Sequence, residues 1–215
     1  MVPRAIFMNQ LKQLNDEVTV MGDLIRSSIA NTVKILKSGD VSLLGAAENL
    51  EHEINAKEKD IENLCLKIML HQHPVASDLR LVSAALKIIT DMERIGDNAL
   101  DIANTAKHYF SKESTLDSKE IIEMAEAAAL MVEKSVTAFT KLDVETARNT
   151  IDSDDIVDDL FDKVMADLSS SYEKNQSNAT SQLEILLIAK YFEKIADHAV
   201  TIAEWAEFAV TGEHK

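Results

Sequence analysis

Two short acidic motifs stand a hundred residues apart in the chain, each inside an apolar run. The first is ERIGD, Glu93 to Asp97, and the second is EKIAD, Glu193 to Asp197. Residues four apart are neighbours on one face of a helix, so each motif brings two carboxylates together. On a helical wheel that face is the packed side or its margin, where like charges repel each other and lose hydration. A multivalent cation would compensate both carboxylates, and the motifs therefore predict metal binding.

Further oxygen ligands occur at the same spacing in the segment that precedes each motif. Glu51 and Asn55 come before the first motif, and Asp154 and Asp158 come before the second. Oxygen ligands alone are typical of hard cations such as Mg²⁺ or Mn²⁺ and of iron, whereas structural zinc prefers Cys and His. A single E-x-x-x-D pair is usually a solvated surface feature, but its recurrence favours the metal-binding interpretation.

The elements that must position these residues are long helices. The chain has 215 residues with only 5 Gly and 2 Pro, a composition that favours helix over strand. Gly39 and Pro74 mark helix ends, and Asp117 and Glu120 have the spacing of a capping box. The pattern predicts six helices, at about residues 5–37, 41–71, 77–110, 118–141, 144–172 and 178–211.

The two halves of the chain are copies of each other. Residues 17–23 (EVTVMGD) align without a gap to residues 120–126 (EIIEMAE), and the same offset carries Glu51 onto Asp154. A repeat this long is a duplicated structural unit. Three helices with short connections pack antiparallel, so the sequence predicts an all-α fold of two tandem three-helix bundles, residues 1–112 and 113–215. One continuous six-helix bundle is the alternative that the sequence leaves open.

The charge of the chain restricts its partners. The formal net charge is -15, which disfavours direct contact with nucleic acid or an anionic membrane because both are negatively charged. Cys65 is the only cysteine and has apolar neighbours, which suggests a core residue in a reducing compartment. The N-terminus lacks a signal-peptide pattern, and no apolar run is long enough to span a bilayer. We therefore expect a cytoplasmic protein.

A metalloenzyme is the main competing class, because clustered carboxylates in helical bundles also form di-iron centres. Those centres use Glu-x-x-His pairs, and none of the 6 histidines has Glu three residues before it. Asn98 and His198 fall on the polar side of the helical wheel, and His198 is expected to be a surface residue rather than a ligand. No Gly-rich phosphate loop and no nucleophile with an evident base occurs, so we expect no catalysis. A purely structural helical scaffold is a third possibility.

One cation interrupts the most acidic segment of the chain. Arg148 is the only Lys or Arg between Lys141 and Lys163, and a guanidinium can hold a partner carboxylate with two hydrogen bonds. Balancing nearby Asp and Glu of the same chain is the alternative. We predict Arg148 as a candidate partner-binding residue.

At the two acidic motifs the chain resembles the PhoU family. The stretch PVASDLRLVSAALKIITDMERIGDNALDIA, residues 74–103, looks like the signature region of that family, and FEKIADHAVTIAEW, residues 192–205, is similar to the same region of its second repeat. The likeness covers essentially the whole chain in helix order and connector positions. It implies two tandem three-helix bundles, often dimeric, with multinuclear iron, zinc or other divalent metal sites.

Carried over residue by residue, the resemblance assigns metal ligation to the matching positions. These are Glu93, Asp97, Glu193 and Asp197, with Asp154 and Asp158 at the equivalent spacing on the fifth helix. The chain departs from the family pattern at Glu51 and Asn55, where the second residue is an amide, and in the motif interiors, where Arg94 and Gly96 are replaced by Lys194 and Ala196.

The resemblance also implies a function that works through protein contacts. PhoU-like proteins act with the phosphate-specific transport system, where they hold off the starvation response and restrain phosphate uptake. The expected partners are the ATPase of the phosphate ABC transporter and a phosphate-sensing histidine kinase. Bound Fe, Zn, Mn or Mg ions would order the bundle or tune its partner surface.

Overall fold

The structure is a computed structural model that describes residues 3–72, 74–113, 115–116, 118–174 and 179–213. Every regular element within these ranges is helical. The elements are α1 (Pro3–Ser38), a 3-10 turn (Val41–Leu43), α2 (Leu44–Gln72), α3 (Ser77–Phe110), α4 (Lys119–Lys141), α5 (Val144–Ile151), α6 (Asp154–Lys174) and α7 (Ala179–Thr211). The predicted all-α fold is confirmed.

Helices end where a residue leaves the helical conformation. Gly39 follows α1 with a φ of 69°, a left-handed conformation that glycine adopts without a Cβ clash. Leu142 takes a φ of 55° after α4. Asp143 then caps α5, because its carboxylate accepts a hydrogen bond from the N–H of Thr146 at 3.1 Å. These sharp ends let consecutive long helices reverse direction and pack antiparallel.

Two predicted helix starts involve residues outside the described ranges. Asp117 is one of them and lies outside the described residues, but the N-cap of α4 is the next residue, so the predicted capping box of Asp117 with Glu120 does not begin this helix. Ser118 is the N-cap of α4, and its Oγ accepts a hydrogen bond from the N–H of Ile121 at 3.4 Å. Asn178, the predicted start of the last helix, also lies outside the described residues.

The prediction of one continuous helix over residues 144–172 is wrong, because α5 and α6 are separated by a short turn. Ser153 Oγ donates a hydrogen bond to the carbonyl oxygen of Asn149 at 2.6 Å. Ser153 stands within the sequence Asp152-Ser153-Asp154-Asp155. Short polar side chains of this kind compete with the helical hydrogen bonds through local contacts, so the helix restarts at Asp154.

The helices form two units that share one core. α1, α2 and α3 contact one another, as do α4, the α5–α6 pair and α7. The units join through α1 with α4 and, most extensively, through α3 with α7. α3 and α7 run antiparallel, since Asp91 contacts His198 and Lys112 pairs with Glu184. Two tandem three-helix bundles are confirmed, and their buried apolar residues form a continuous cluster.

The single thiol lies inside this core. Cys65 is fully buried, and burial raises its pKa to about 12. The thiolate is the reactive form of cysteine, so Cys65 is chemically inert at neutral pH. None of the described helices combines the length and the apolar character needed to cross a bilayer.

Candidate functional site

The first acidic motif lies at the edge of the contact between α2 and α3. Gly96, in the middle of the motif, is buried, and a Cβ there would lie 3.0 Å from Ile54 Cδ1. The absence of a side chain at Gly96 therefore lets α2 approach α3 closely. The side chains of Glu93 and Asp97 are 21% and 36% exposed. Both carboxylates lie at the margin of the packed side.

Partial burial and mutual repulsion disturb the ionisation of these carboxylates. Burial raises the pKa of Glu93, and the charges of Asp97, Glu58 and Glu51 raise it further. Burial and the charge of Glu51 likewise raise the pKa of Asp97. Arg94 opposes both shifts, with its guanidinium 3.5 Å from Glu93 and 3.8 Å from Asp97. One exposed arginine thus compensates this acidic surface only in part.

Glu51 and Asn55 on α2 face the same acidic surface. Asn55 Nδ2 donates a hydrogen bond to Glu51 Oε1 at 2.5 Å, and His52 Nδ1 lies 2.9 Å from Glu51 Oε2. The amide oxygen of Asn55 is buried and has no hydrogen-bond partner in the described part of the chain. Buried acceptors usually have a partner, so this oxygen is an available ligand.

The second motif forms the equivalent surface between α6 and α7. Asp154 is the most perturbed of its carboxylates: burial, followed by the charges of Asp158, Asp197 and Glu193, raises its pKa to about 6. Burial and the charge of Glu193 also raise the pKa of Asp197. All four acidic residues that the sequence predicts for this unit therefore lie on one surface, with Asp158 and Asp197 exposed.

Glu193 has one engaged oxygen and one without a partner. Lys190 Nζ lies 2.5 Å from Glu193 Oε1 and 5.5 Å from the ring centroid of Phe161. Glu193 Oε2 is buried and accepts no hydrogen bond from any described residue. This oxygen is the strongest single indication that the surface is adapted to an additional positive group.

The donor atoms fit a hard cation, but they are not gathered into a coordination sphere. All candidate ligands are carboxylate or amide oxygens, the class that Mg²⁺, Mn²⁺ and iron bind. Among the described residues, no three Asp, Glu, His or Cys side chains are arranged so that they could hold a metal ion. Metal binding at the two surfaces therefore stays a prediction.

The two polar residues that directly follow the motifs are placed differently: Asn98 is not at the surface, contrary to the helical wheel, whereas His198 is half-buried at a groove. Asn98 is buried, and its Nδ2 donates a hydrogen bond to the carbonyl oxygen of Arg94 at 2.8 Å. His198 Nδ1 lies 2.9 Å from Asp91 Oδ1 across the contact between the two units. Both residues line a groove of about 490 Å³ between α3 and α7, together with Asp97 and Asp197.

Arg148, the predicted partner-binding residue, contacts its own chain. Its Nε and Nη2 atoms donate hydrogen bonds to Glu207 Oε1 at 2.8 and 2.6 Å. Glu207 is buried, whereas 59% of the Arg148 side chain is exposed. The contact ties α5 to α7, and a role of Arg148 in binding a partner stays a prediction.

Comparison with known proteins identifies one family. The family model described as "PhoU domain" matches residues 18–106 and again residues 121–206. Two proteins named "Phosphate-specific transport system accessory protein PhoU homolog" match over nearly their whole length. The one from Clostridium acetobutylicum is 29% identical, covering 97% of this chain and 96% of that protein. The one from Borreliella burgdorferi is 32% identical, covering 95% of this chain and 94% of that protein.

Two solved structures have the same fold. The crystal structure of PhoU from Pseudomonas aeruginosa superposes with a TM-score of 0.91 at 27% identity, covering 96% of this chain and 100% of that chain. The phosphate transport system regulatory protein PhoU from Streptococcus pneumoniae gives a TM-score of 0.89 at 24% identity, covering 97% and 99%. Both likenesses extend over the two repeats and the contact between them.

Proposed function

The chain belongs to the PhoU family, and on that premise we propose that it is a negative regulator of the phosphate-starvation response and a modulator of phosphate uptake. The observation that carries this proposal is the pair of PhoU-domain matches, which lie in the two repeats. The curated relatives are named as accessory proteins of the phosphate-specific transport system. The chain is therefore an accessory protein of phosphate transport.

The proposed regulation works through protein contacts in the cytoplasm. The proposed partners are the ATPase of the phosphate ABC transporter and a phosphate-sensing histidine kinase. Because its net charge is -15, the protein is not attracted electrostatically to an anionic membrane. Binding to the transporter and the kinase would instead bring it to the membrane. We also propose that it acts as a homodimer. No catalytic step is assigned to it.

The proposed metal sites are the two acidic surfaces. The first would use Glu51, Asn55, Glu93 and Asp97, and the second would use Asp154, Asp158, Glu193 and Asp197. The raised pKa values of Glu93, Asp97, Asp154 and Asp197 support this proposal, because a bound cation would offset both the burial and the mutual repulsion that raise them. Iron, zinc, manganese or magnesium would there link α2 to α3 and α6 to α7.

A transcriptional reporter of phosphate starvation tests the regulatory function. Cells that lack the protein are grown in abundant phosphate and complemented with the wild-type gene or with an empty vector. We expect the reporter to be active with the empty vector and silent with wild type. A reporter that stays silent in the deletion strain would contradict the proposed regulation, provided that no second PhoU gene is present.

Binding to the two partners is a separate experiment. Purified protein is titrated into the transporter ATPase and into the cytoplasmic part of the kinase, and binding is followed by calorimetry. We expect saturable binding to at least one of them. Arg148→Ala is the informative variant, with Lys163→Ala as an exposed control on the neighbouring helix α6. Unchanged affinity of the Arg148→Ala protein would remove that residue from the partner surface.

A further inference from the structure

A groove between α1 and α4 has an unusual charge for this acidic chain. Two cavities of about 540 Å³ and 220 Å³ lie along the contact of these helices, and both are lined by Arg26. Together they extend from Thr19 to Ser38 on α1, a distance of roughly 28 Å at 1.5 Å per residue. Such a groove is long enough to hold about five turns of a helix.

The larger cavity combines an apolar floor with a basic rim. Its floor includes Ile29, Val33 and Ala129, and its rim includes Lys34, Lys37 and one acidic residue, Glu126. Residues 24–38 of α1 contain three cations and no acidic residue, in a chain with a net charge of -15. This half of the groove is hereafter the basic half.

The cations of the basic half are largely available. Lys37 Nζ lies 3.2 Å from Glu126 Oε1, with both side chains more than half exposed, and such a surface pair is weak. Within the described ranges Lys34 makes no ion pair. Arg26 pairs with Asp23 at 2.8 Å, again with both side chains exposed.

The internal repeat supplies a built-in comparison. The offset that carries Glu51 onto Asp154 carries Lys34 and Lys37 onto Thr137 and Thr140, which line the smaller cavity. It carries Val33 onto Val136, so the apolar floor is kept in both copies. The two halves of the groove therefore share their framework and differ in charge.

We propose that this groove binds an amphipathic helix of a partner protein, with the carboxylates of that helix against the basic half. An apolar strip on the partner helix would cover the floor, and the charge difference between the two halves would set its direction. The groove is concave, which suits a helix better than a flat bilayer. The inference rests on the geometry and charge of α1 and α4, so it stands apart from the role in phosphate transport.

The chain's own acidic helix is a poorer occupant. α6 carries six Asp residues, but Ile156 and Met165 are the large apolar side chains that it exposes within the described part of the chain, nine positions apart. That spacing leaves more than two turns without an apolar contact. A separate partner with a continuous apolar strip matches the groove more fully than a second copy does.

Two synthetic helical peptides of about 18 residues, the length that spans roughly 28 Å, test the charge preference. Both peptides have Leu along one face. Near one end, the Glu peptide carries Glu beside the Leu residues, and the Lys peptide carries Lys at the same positions. Binding to the full chain is measured by fluorescence anisotropy. We expect the Glu peptide to bind at least tenfold more tightly, with an affinity that falls between ~50 and ~500 mM salt. Equal binding of the two peptides, or no binding of the Glu peptide, would overturn the proposal.

Repeat-swapped variants locate the binding site. Lys34→Thr with Lys37→Thr gives the basic half the residues of the second repeat, and we expect the affinity for the Glu peptide to fall roughly five- to tenfold, as for two exposed ion pairs. Lys12→Thr with Lys163→Thr removes two exposed charges outside the groove and should leave the affinity within about twofold. If both double variants bind equally, the proposed site is wrong.

The direction of the bound helix is tested by cross-linking. A bromoacetyl group at the Glu-rich end of the peptide should react faster with Ala30→Cys, in the basic half, than with Thr19→Cys at the other end. The buried Cys65 does not compete. Equal reaction rates would contradict a charge-directed orientation.

Two other outcomes would assign the groove to a different occupant and overturn the proposal. One is self-association of the wild-type chain that disappears in the Lys34→Thr, Lys37→Thr variant, measured by sedimentation, with no binding of the Glu peptide. The other is binding to phosphatidylglycerol vesicles that the same variant loses, again without peptide binding. The first would identify a second copy and the second a membrane surface.

Discussion

The second acidic surface is the better place to test for a metal ion, because Glu193 Oε2 is buried without a partner among the described residues. We expect Glu193→Gln with Asp197→Asn to lower metal affinity at least tenfold, since it removes two of the four proposed anionic ligands. The measurement is titration of metal-free protein with Mn²⁺ or Fe²⁺, with bound metal determined by mass spectrometry.

The control for this metal titration uses exposed carboxylates of α6 that are not proposed as ligands. Asp162→Asn with Asp167→Asn removes two exposed charges from α6 and should leave the affinity nearly unchanged. If both double variants retain full metal binding, the carboxylates of α7 are not ligands. Loss of binding in both variants would indicate nonspecific attraction by the acidic surface.

Asp154 makes the free energy of unfolding of the metal-free protein depend on pH. Its pKa rises from 3.8 to about 6 on folding, so between these values the folded state holds more protons than the unfolded state. The free energy of unfolding therefore falls as pH rises through this window and stays lower above it. Since Asp154 is only partly buried, solvent screening reduces the expected effect to about 1 kcal/mol.

The matching variant is Asp154→Asn, measured by urea unfolding in the presence of a chelator. We expect it to be about 1 kcal/mol more stable than wild type at neutral pH and nearly equal to wild type below pH 3.8, the ordinary pKa of the residue. Asp167→Asn serves as the exposed control. A variant that is less stable than wild type at neutral pH would show that the ionised carboxylate has a favourable partner.

At the level of helices, the close approach of α2 to α3 at Gly96 positions the first acidic surface. Gly96→Ala would place Cβ 3.0 Å from Ile54 Cδ1 and 3.2 Å from its Cγ2. Such overpacking costs about 1–3 kcal/mol, whereas the gain in helix propensity is about 1 kcal/mol. We expect a net loss of about 1 kcal/mol and a Tm about 2–4 °C lower.

Gly45→Ala is the matched control, because a Cβ there meets nothing within 4 Å. That variant should be more stable by about 0.5–1 kcal/mol from helix propensity alone. Thermal unfolding followed by circular dichroism compares the two. If Gly96→Ala raises the Tm as much as Gly45→Ala does, α2 is free to move away from α3 at the motif.

The periodicity of the sequence predicted the long helices well, but it predicted less well which residues of α3 and α7 are buried. Gly39 and Pro74 correctly mark helix ends, and the repeat correctly pairs Glu51 with the first acidic motif and Asp154 with the second. The helical wheel misplaced Asn98 because it assumes one buried face, whereas α3 packs both against its own unit and against α7. The break at Ser153 depends on local side-chain hydrogen bonds that periodicity does not detect.

For the whole molecule, the shared core predicts cooperative unfolding. Apolar residues of both units form one cluster, so neither unit should remain folded when the other unfolds. Fluorescence of Trp205, the only tryptophan, reports on α7, whereas circular dichroism reports on all helices. We expect the two signals to have the same midpoint in urea. Two separate transitions would contradict a shared core.

The predicted boundary between residues 112 and 113 is tested by expressing residues 1–112 and 113–215 as separate chains. Each piece would expose the apolar surface of α3 or α7 that now lies in the contact between the units. We expect each piece alone to be less stable and to self-associate, and the two pieces together to form a heterodimer, measured by light scattering. Monomeric, fully stable halves would show that the units are independent domains.

The antiparallel contact of α3 with α7 has the geometry of an isologous interface, in which equivalent elements from two subunits face each other across a twofold axis. The hundred-residue offset of the motifs carries Asp91 onto Tyr191 and Asn98 onto His198. Asp91 contacts His198, and Asn98 and Tyr191 line the groove between α3 and α7. In a symmetric pair of identical chains every substitution occurs twice. When the two units belong to one chain, a substitution can occur in one half and not in the other. The first half can therefore carry Lys34 and Lys37 where the second half carries Thr137 and Thr140.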